Sequence, residues 1–188
     1  MPRHTNPEVE GRIIAAARKL WHAGGEEALS MRAIARAART NTPAVYRRFR
    51  DREEILRALV ATYLEQLFKE VEPATSIFEL LNRILEFAMR QPREYQLMTS
   101  GLLARVTKSR PALELATAKT ASWLGGTPDE NRKLVLCVWS MMHGLIMLRI
   151  SGTMLEEEYP ASVAAFHRAV EILVERRDRL HGNSSRPG

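Results

Sequence analysis

A chain of 188 residues, 45% hydrophobic and 27% charged, is long enough to form one large or two small domains with a substantial buried core. Its single cysteine, Cys137, excludes an intramolecular disulfide; because it lies in an apolar segment, we expect a small buried side chain there instead of a reactive thiol. The net charge of +6 arises within residues 1–52, which hold 11 Lys and Arg against 5 Asp and Glu, so a basic, polyanion-binding head joined to a neutral body is predicted.

The amino terminus, residues 1–12, carries charges but lacks the apolar core of a signal peptide. We therefore expect a cytoplasmic protein. The first helix is predicted to open at Asn6 and Pro7, because an Asn cap followed by proline is a helix start signal, and to end at Gly24 and Gly25. Apolar residues at helical spacing give this helix one buried face.

The next two predicted helices are short and are separated by a tight turn. Ser30 caps the first of them, which runs from about residue 31 to 38, and Arg39 with Thr40 forms the turn. Asn41 caps the second, which runs to about Phe49. Apolar side chains, Ile34, Ala35, Val45 and Phe49, lie on the inner faces, while several arginines lie on the outer faces. Residues 31–50 therefore predict a helix-turn-helix unit that reads DNA.

The rest of the chain is also predicted to be helical, because apolar residues recur at spacings of three and four and no alternating β-branched run is present. Asp51 and Glu54 form a capping box for a long fourth helix that ends before Pro73. Five more helices are expected at about 76–90, 93–106, 111–125, 127–150 and 161–180. The apolar segment 134–150 is interrupted by polar residues and is predicted to be a buried helix, not a membrane span. The polar tail 181–188 is predicted to be disordered.

This sequence resembles the TetR family of bacterial transcriptional regulators. Family members typically show an isoleucine-alanine pair, a turn with a capping residue, a tyrosine, a phenylalanine, and then a basic residue with a glutamate. The corresponding residues here are Ile34, Ala35, Arg39, Thr40, Asn41, Tyr46, Phe49, Arg52 and Glu53. The chain departs from the family at Arg39, where glycine is usual, at Thr40, where valine is usual, and at Arg48, where an aromatic residue or histidine is usual.

The resemblance implies an all-α fold with two parts: a three-helix DNA-binding head, residues 7–56, and an effector-binding and dimerisation body, residues 57–180. The second helix of such a motif enters the major groove with its amino-terminal residues, here Thr42, Pro43 and Ala44, against base edges. Family likeness places Ser30, Tyr46, Arg48 and Arg52 near phosphates, and hydroxyl or guanidinium groups suit such contacts. Arg32 and Arg47 can reach either bases or phosphates. The predicted DNA-binding residues are Ser30, Arg32, Asn41, Thr42, Pro43, Ala44, Tyr46, Arg47, Arg48 and Arg52.

The body is expected to form a homodimer, because a three-helix head reads only a few base pairs and two heads must span half-sites one helical turn apart. In the family, two helices from each subunit form a four-helix interface. The predicted interface residues are Leu145, Leu148, Val163, Phe166, Val170, Leu173 and Val174. A hydrophobic or aromatic effector is expected among the middle helices, where its binding would separate the heads. The predicted lining is Phe87, Tyr95, Met98, Leu102, Trp123, Trp139, Met142 and His143, for each of which ordinary core packing is the alternative.

An enzyme is not expected. The sequence contains no glycine-rich phosphate loop, paired cysteine motif or nucleophile elbow, and its five histidines are widely scattered, so no metal site or cofactor is predicted. The predicted function is sequence-specific regulation of transcription, by a repressor that an effector releases from a palindromic operator in double-stranded DNA. The alternative is a helical dimer that binds a small molecule or partner without specific DNA readout, for which the unusual Arg39 and Arg48 are the support.

Overall fold

The computed structural model describes residues 7–102 and 110–181, and the regular secondary structure of these residues is entirely helical, as predicted. The α-helices are α1 (Pro7–Gly24), α2 (Met31–Ala37), α3 (Thr42–Tyr46), α4 (Arg52–Val71), α5 (Ile77–Arg90), α6 (Pro92–Thr99), α7 (Pro111–Leu124), α8 (Arg132–Ile150) and α9 (Tyr159–Glu175). Short 3-10 helices follow α1, at Gly25–Ala28, and α9, at Arg177–His181. Of the tail predicted to be disordered, residues 182–188 lie outside the described part of the chain.

The chain divides into two compact units. The first contains residues 7–66 and 93–102, and the second contains residues 67–92 and 110–181. The sequence predicts that the DNA-binding head ends at residue 56. In the structure α4 remains part of the head core beyond that residue, because Leu59, Val60 and Tyr63 are fully buried in this core. Leu97 and Leu102 join the same core from the later segment. The first unit is therefore larger than the three-helix head expected from the sequence.

Two predicted helices end earlier in the structure. α3 ends at Tyr46 instead of near Phe49, although the amide of Phe49 still donates to the carbonyl of Val45 at 3.0 Å. α6 ends at Thr99, where the hydroxyls of Thr99 and Ser100 donate to preceding carbonyls and Gly101 adopts a φ of +76°. Hydroxyls that bond back to the chain compete with further helical turns.

The start signal at Thr127 forms, but it caps a turn instead of the long helix. Thr127 Oγ1 accepts a hydrogen bond from the amide of Glu130 at 3.2 Å, and Glu130 Oε2 accepts one from the amide of Thr127 at 2.6 Å. α8 begins later, at Arg132. A capping box therefore identifies a chain reversal correctly without fixing where the following α-helix starts.

α8 is the central helix of the second unit and packs against α5, α7 and α9. Its buried face is lined by Leu134, Val135, Val138, Met142, Leu145 and Ile146. Cys137 lies on the other face and is exposed, so the expectation that it is buried was wrong. By length and mean hydropathy, 1.5, α8 would suffice to span a membrane, but here it packs on three helices of its own unit.

Candidate nucleic-acid interface

Both helices of the helix-turn-helix begin at side-chain caps, as predicted. Ser30 Oγ accepts a hydrogen bond from the amide of Ala33 at 3.1 Å, and Asn41 Oδ1 accepts one from the amide of Ala44 at 2.8 Å. Pro43 occupies the first turn of α3, where its missing N–H leaves no bond unmade. Each cap stabilises the start of its own helix, α2 at Ser30 and α3 at Asn41, by about 1 kcal/mol.

The turn between α2 and α3 is left-handed at Arg39, with a φ of +52°. The amide of Thr40 donates to the carbonyl of Ala35 at 2.9 Å, and the amide of Arg39 donates to the carbonyl of Arg36 at 3.2 Å. This pair of bonds is the Schellman motif, in which glycine normally occupies the left-handed position. Arg39 therefore occupies the left-handed position that glycine takes in most such turns.

α3 and the residues just after it have one buried side and one exposed side. Val45 is fully buried and Phe49 is nearly so, as predicted from their spacing. Tyr46 is 54% exposed and Arg47 is also exposed. Of the three residues expected at base edges, Pro43 is exposed and Thr42 is half-buried, but Ala44 is buried. The accessible surface at the start of α3 is consequently formed by Thr42 and Pro43.

The predicted phosphate ligands differ in whether their charge is already paired. Arg52 Nη2 lies 2.7 Å from Glu26 Oε1 in an ion pair that joins the first turn of α4 to the 3-10 helix after α1. Arg32 and Arg47 are exposed, and in the described part of the chain their guanidinium groups have no hydrogen-bond or ion-pair partner. Sequence reasoning missed the Arg52–Glu26 pair because its members are 26 residues apart.

A buried carboxylate within the first unit was also not predicted. Glu94 of α6 is 2% exposed, and its Oε1 lies 3.0 Å from His22 Nδ1, although the two atoms do not meet hydrogen-bond geometry. Arg93 Nη1 donates to the carbonyl of His22 at 2.6 Å. Burial, together with the charge of Glu94, raises the pKa of the nearby Tyr63 well above its ordinary value. These contacts fasten α6 to α1.

The residues predicted to line an effector site are divided between the two units. Tyr95 and Leu102 are buried in the first unit, where Leu102 and the half-buried Met98 pack with the head core. In the second unit Phe87 and Met142 are buried, whereas the remaining three are half-buried: Trp123, Trp139 and His143. The first group thus contributes to the packing of the head.

A cavity of about 370 Å³ lies in the second unit at the end of α7. Its lining is Leu124, Gly125, Gly126, Glu130, Asn131, Arg177 and Asp178, a mostly polar set that contains none of the residues predicted for the effector. Within the described residues no group of three or more His, Cys, Asp or Glu side chains is placed to hold a metal ion.

The residues predicted for the dimer interface differ in how far they are exposed on a single chain. Leu145, Phe166 and Val170 are buried in the core of a single chain, while Val163, Leu173 and Val174 are half-buried. Leu148 is 45% exposed. Other apolar residues that were not predicted are also exposed on α8 and α9: Leu136, Cys137, Met141 and Ile172.

Comparison with known proteins gives two family matches that together cover most of the chain. The family described as "Bacterial regulatory proteins, tetR family" matches residues 13–59, and the one described as "Tetracyclin repressor-like, C-terminal domain" matches residues 77–173. A comparison with curated protein sequences finds no match. The first match contains the helix-turn-helix, and the second contains α5 to most of α9.

Solved structures of the same fold are similar over nearly their whole length. A protein of unknown function from Rhodococcus sp. RHA1 is 23% identical, over 90% of this chain and 98% of that chain, with a TM-score of 0.64. TetR from Acinetobacter baumannii AYE is 17% identical, over 91% of this chain and 97% of that chain, also with a TM-score of 0.64. A variant of the same TetR in complex with minocycline is 19% identical, with the same coverage and TM-score.

The family is one of DNA-binding regulators and not of enzymes, in agreement with the prediction from sequence. The matched residues include the caps, the turn, the arginines of α2 and Arg47, which directly follows α3. This chain belongs to the TetR family of bacterial transcriptional regulators.

Proposed function

We propose that this regulator is a homodimeric repressor that binds a palindromic operator in double-stranded DNA. The observation that carries the proposal is the surface at the start of α3, where exposed Pro43, Tyr46 and Arg47 stand on a helix fixed by the Asn41 cap. Among the residues that the structure describes, Arg47 has no acidic partner, so no ion pair must break there before it meets DNA. A helix presented in this way fits the major groove.

Each of these side chains has a different part in the proposal. Thr42 and Pro43 face base edges, and Tyr46 directs its hydroxyl to a phosphate. Arg47 reads a guanine, since its guanidinium can pair bidentately with the O6 and N7 atoms of that base. Arg52 reaches a phosphate only if its pair with Glu26 opens or is shared, because Arg52 Nη2 is 2.7 Å from the carboxylate.

The body supports dimerisation through an apolar surface that a single chain leaves open. Leu136, Met141 and Leu148 are exposed along α8, and Ile172 is 54% exposed on α9. Met141 and Leu148 are seven residues apart and so lie on one face of α8, and with Ile172 on the neighbouring α9 they suit a symmetric four-helix interface with a second copy. We therefore replace the buried Leu145, Phe166 and Val170 of the predicted interface with these exposed residues.

The proposed effector is a small hydrophobic or aromatic molecule. A TetR variant of similar fold forms a complex with minocycline. Phe87, Met142 and the half-buried Trp123, Trp139 and His143 offer apolar and aromatic surface within the second unit of this chain. Binding of the effector would shift the dimer to a state whose heads no longer fit successive major grooves. As a DNA-binding regulator of a bacterium, the protein would act in the cytoplasm.

Selection of bound duplexes from a random DNA pool at moderate salt tests the DNA-binding proposal. We expect enrichment of a palindrome whose half-sites lie about one helical turn apart, and an altered preference at one position for Arg47→Ala. Arg176→Ala, a charge-matched change on the surface of the second unit, should leave the enriched sequence unchanged. Salt-sensitive binding without enrichment would favour the alternative, a dimer that binds a small molecule or partner without specific DNA readout.

A further inference from the structure

We propose that Arg36 and Arg39 bind DNA phosphates and, with Arg32, form an arginine ridge along the outer face of α2 and its following turn. The inference deepens the proposed DNA binding and depends on it. It adds two positions that neither the spacing of the motif nor the family resemblance assigned to DNA. The ridge would widen the contact of each head beyond the residues of α3.

The geometry of α2 places the first two arginines on one face. Arg32 and Arg36 are four residues apart in a helix, so their side chains lie one above the other. Both are exposed, whereas Ile34 and Ala35 of the same helix are buried in the head core. Arg39 follows directly in the left-handed turn and is exposed as well.

The ridge is also distinguished by its lack of acidic partners. Several other arginine side chains of the first unit are engaged by neighbours: Arg12 by Glu8, Arg18 by Gln66, Arg50 by Glu54, Arg52 by Glu26 and Arg57 by Glu53. In the described residues, no hydrogen bond or ion pair involves the guanidinium of Arg32, Arg36 or Arg39, as is also the case for Arg47 after α3. Three exposed guanidinium groups close together in the sequence, none of them paired with a carboxylate, give a positive surface that attracts a row of phosphates.

The conformation of Arg39 supports a function for its side chain. A left-handed position disfavours every residue with a Cβ, and glycine would satisfy the Schellman motif without strain. Its exposed side chain contributes little to the core, so packing does not explain the arginine. Residues held in unfavourable backbone conformations are concentrated at functional sites.

A structural explanation competes with this proposal. Arg36 lies in the last turn of α2, where a positive charge interacts favourably with the carbonyl end of the helix. That role would stabilise the fold and would have no consequence for DNA. The two explanations differ in the salt dependence of DNA binding, because each phosphate that a protein neutralises releases counterions.

The experiment measures the dissociation constant for a duplex at several salt concentrations, using the full-length chain. The variants are Arg36→Ala, Arg39→Gly and their combination, with Arg36→Lys to retain the charge and Arg176→Ala as a control in the second unit. Each single change removes one phosphate contact from each head of the dimer, so we expect it to reduce the slope of log K against log salt by about 1.8, and the double change to reduce it by about 3.6. Arg36→Lys and Arg176→Ala should retain the wild-type slope.

Three outcomes would overturn the ridge. The first is an unchanged slope in the single variants. If Arg36→Ala also lowers the melting temperature, its charge stabilises the carboxyl end of α2 and does not bind phosphate. The second is a changed preference for base sequence, which would make these residues readers of bases. The third is a wild-type chain that does not bind duplex DNA, which overturns the proposed function as well. If the wild-type chain binds DNA without sequence preference, the proposed specific operator is wrong. The slopes of log K against log salt on a random duplex still test whether Arg36 and Arg39 bind phosphates.

Discussion

Replacing Arg39 with glycine is expected to stabilise the protein. The residue has a φ of +52°, a conformation that costs a residue with a Cβ about 1–2 kcal/mol. Glycine avoids this cost but loses about 0.5–1 kcal/mol through the greater freedom of its unfolded chain. Subtracting the midpoints of these two ranges leaves a net gain in the free energy of unfolding of about 0.7 kcal/mol. The backbone bonds of the turn at Thr40 and Arg39 do not involve the side chain and are retained.

The melting temperature reports this gain. An unfolding entropy of about 2.1 cal/mol/K per residue gives a rise of about 1–3 °C if all 188 residues unfold together. If the first unit unfolds separately, the same free energy corresponds to about 3–7 °C. Thermal denaturation followed by far-ultraviolet circular dichroism at fixed protein concentration measures either shift, since the fold is helical.

Arg39→Ala separates conformation from charge. Alanine removes the guanidinium but keeps the Cβ, so its melting temperature should stay close to that of wild type. If alanine gave the same gain as glycine, the cause would be relief of repulsion from neighbours such as Arg36, and the backbone argument would fail. A lower melting temperature for Arg39→Gly would show that the turn is not held in the conformation described here.

Four further predictions concern other contacts. Hydrogen bonding lowers the pKa of Glu79 to about 2. The stabilising effect of the Glu79 carboxylate is therefore complete above its unfolded pKa of 4.5 and is lost as the pH falls through 2. The difference in the free energy of unfolding between wild type and Glu79→Gln, measured by urea denaturation, should shrink over that pH range. His22→Ala should lower the free energy of unfolding by about 1–3 kcal/mol because it leaves the buried Glu94 side chain without its contact to the His22 ring, and adding Glu94→Gln should recover part of the loss. Tyr46→Phe should weaken operator binding in a gel-shift titration at an unchanged melting temperature; unchanged affinity would indicate packing alone. Leu148→Glu should give a monomer in sedimentation equilibrium, and a dimer of normal strength would exclude this face of α8 from the interface.

The local signals of the sequence were sufficient to predict the helix-turn-helix. Caps at Ser30 and Asn41 and the left-handed turn at Arg39 depend on residues within five positions of one another. Apolar spacing placed Val45 and Phe49 in the core for the same reason. Features of this kind are encoded by adjacent residues and need no knowledge of the rest of the fold.

Contacts between distant segments could not be predicted in this way. Arg52 and Glu26 are 26 residues apart, and the bond from Arg93 to the carbonyl of His22 spans 71 residues. Such pairs depend on how α4 and α6 dock on α1, which no local spacing specifies. The same docking extends the head core to Tyr63 and beyond, past residue 56, where the boundary is predicted from the sequence.

The two sides of α8 show a different limit of sequence reasoning and strengthen the proposal of a dimer. Its sequence is apolar almost all round, so periodicity could not separate a core side from a partner side. Leu134 and Val138 are buried within the chain, whereas Leu136, Met141 and Leu148 are exposed. A second helix face of this composition is unfavourable in water unless another surface covers it. A second copy of the chain bound to this face of α8 would bury its exposed apolar residues. The same copy would supply the second head that a palindromic operator needs.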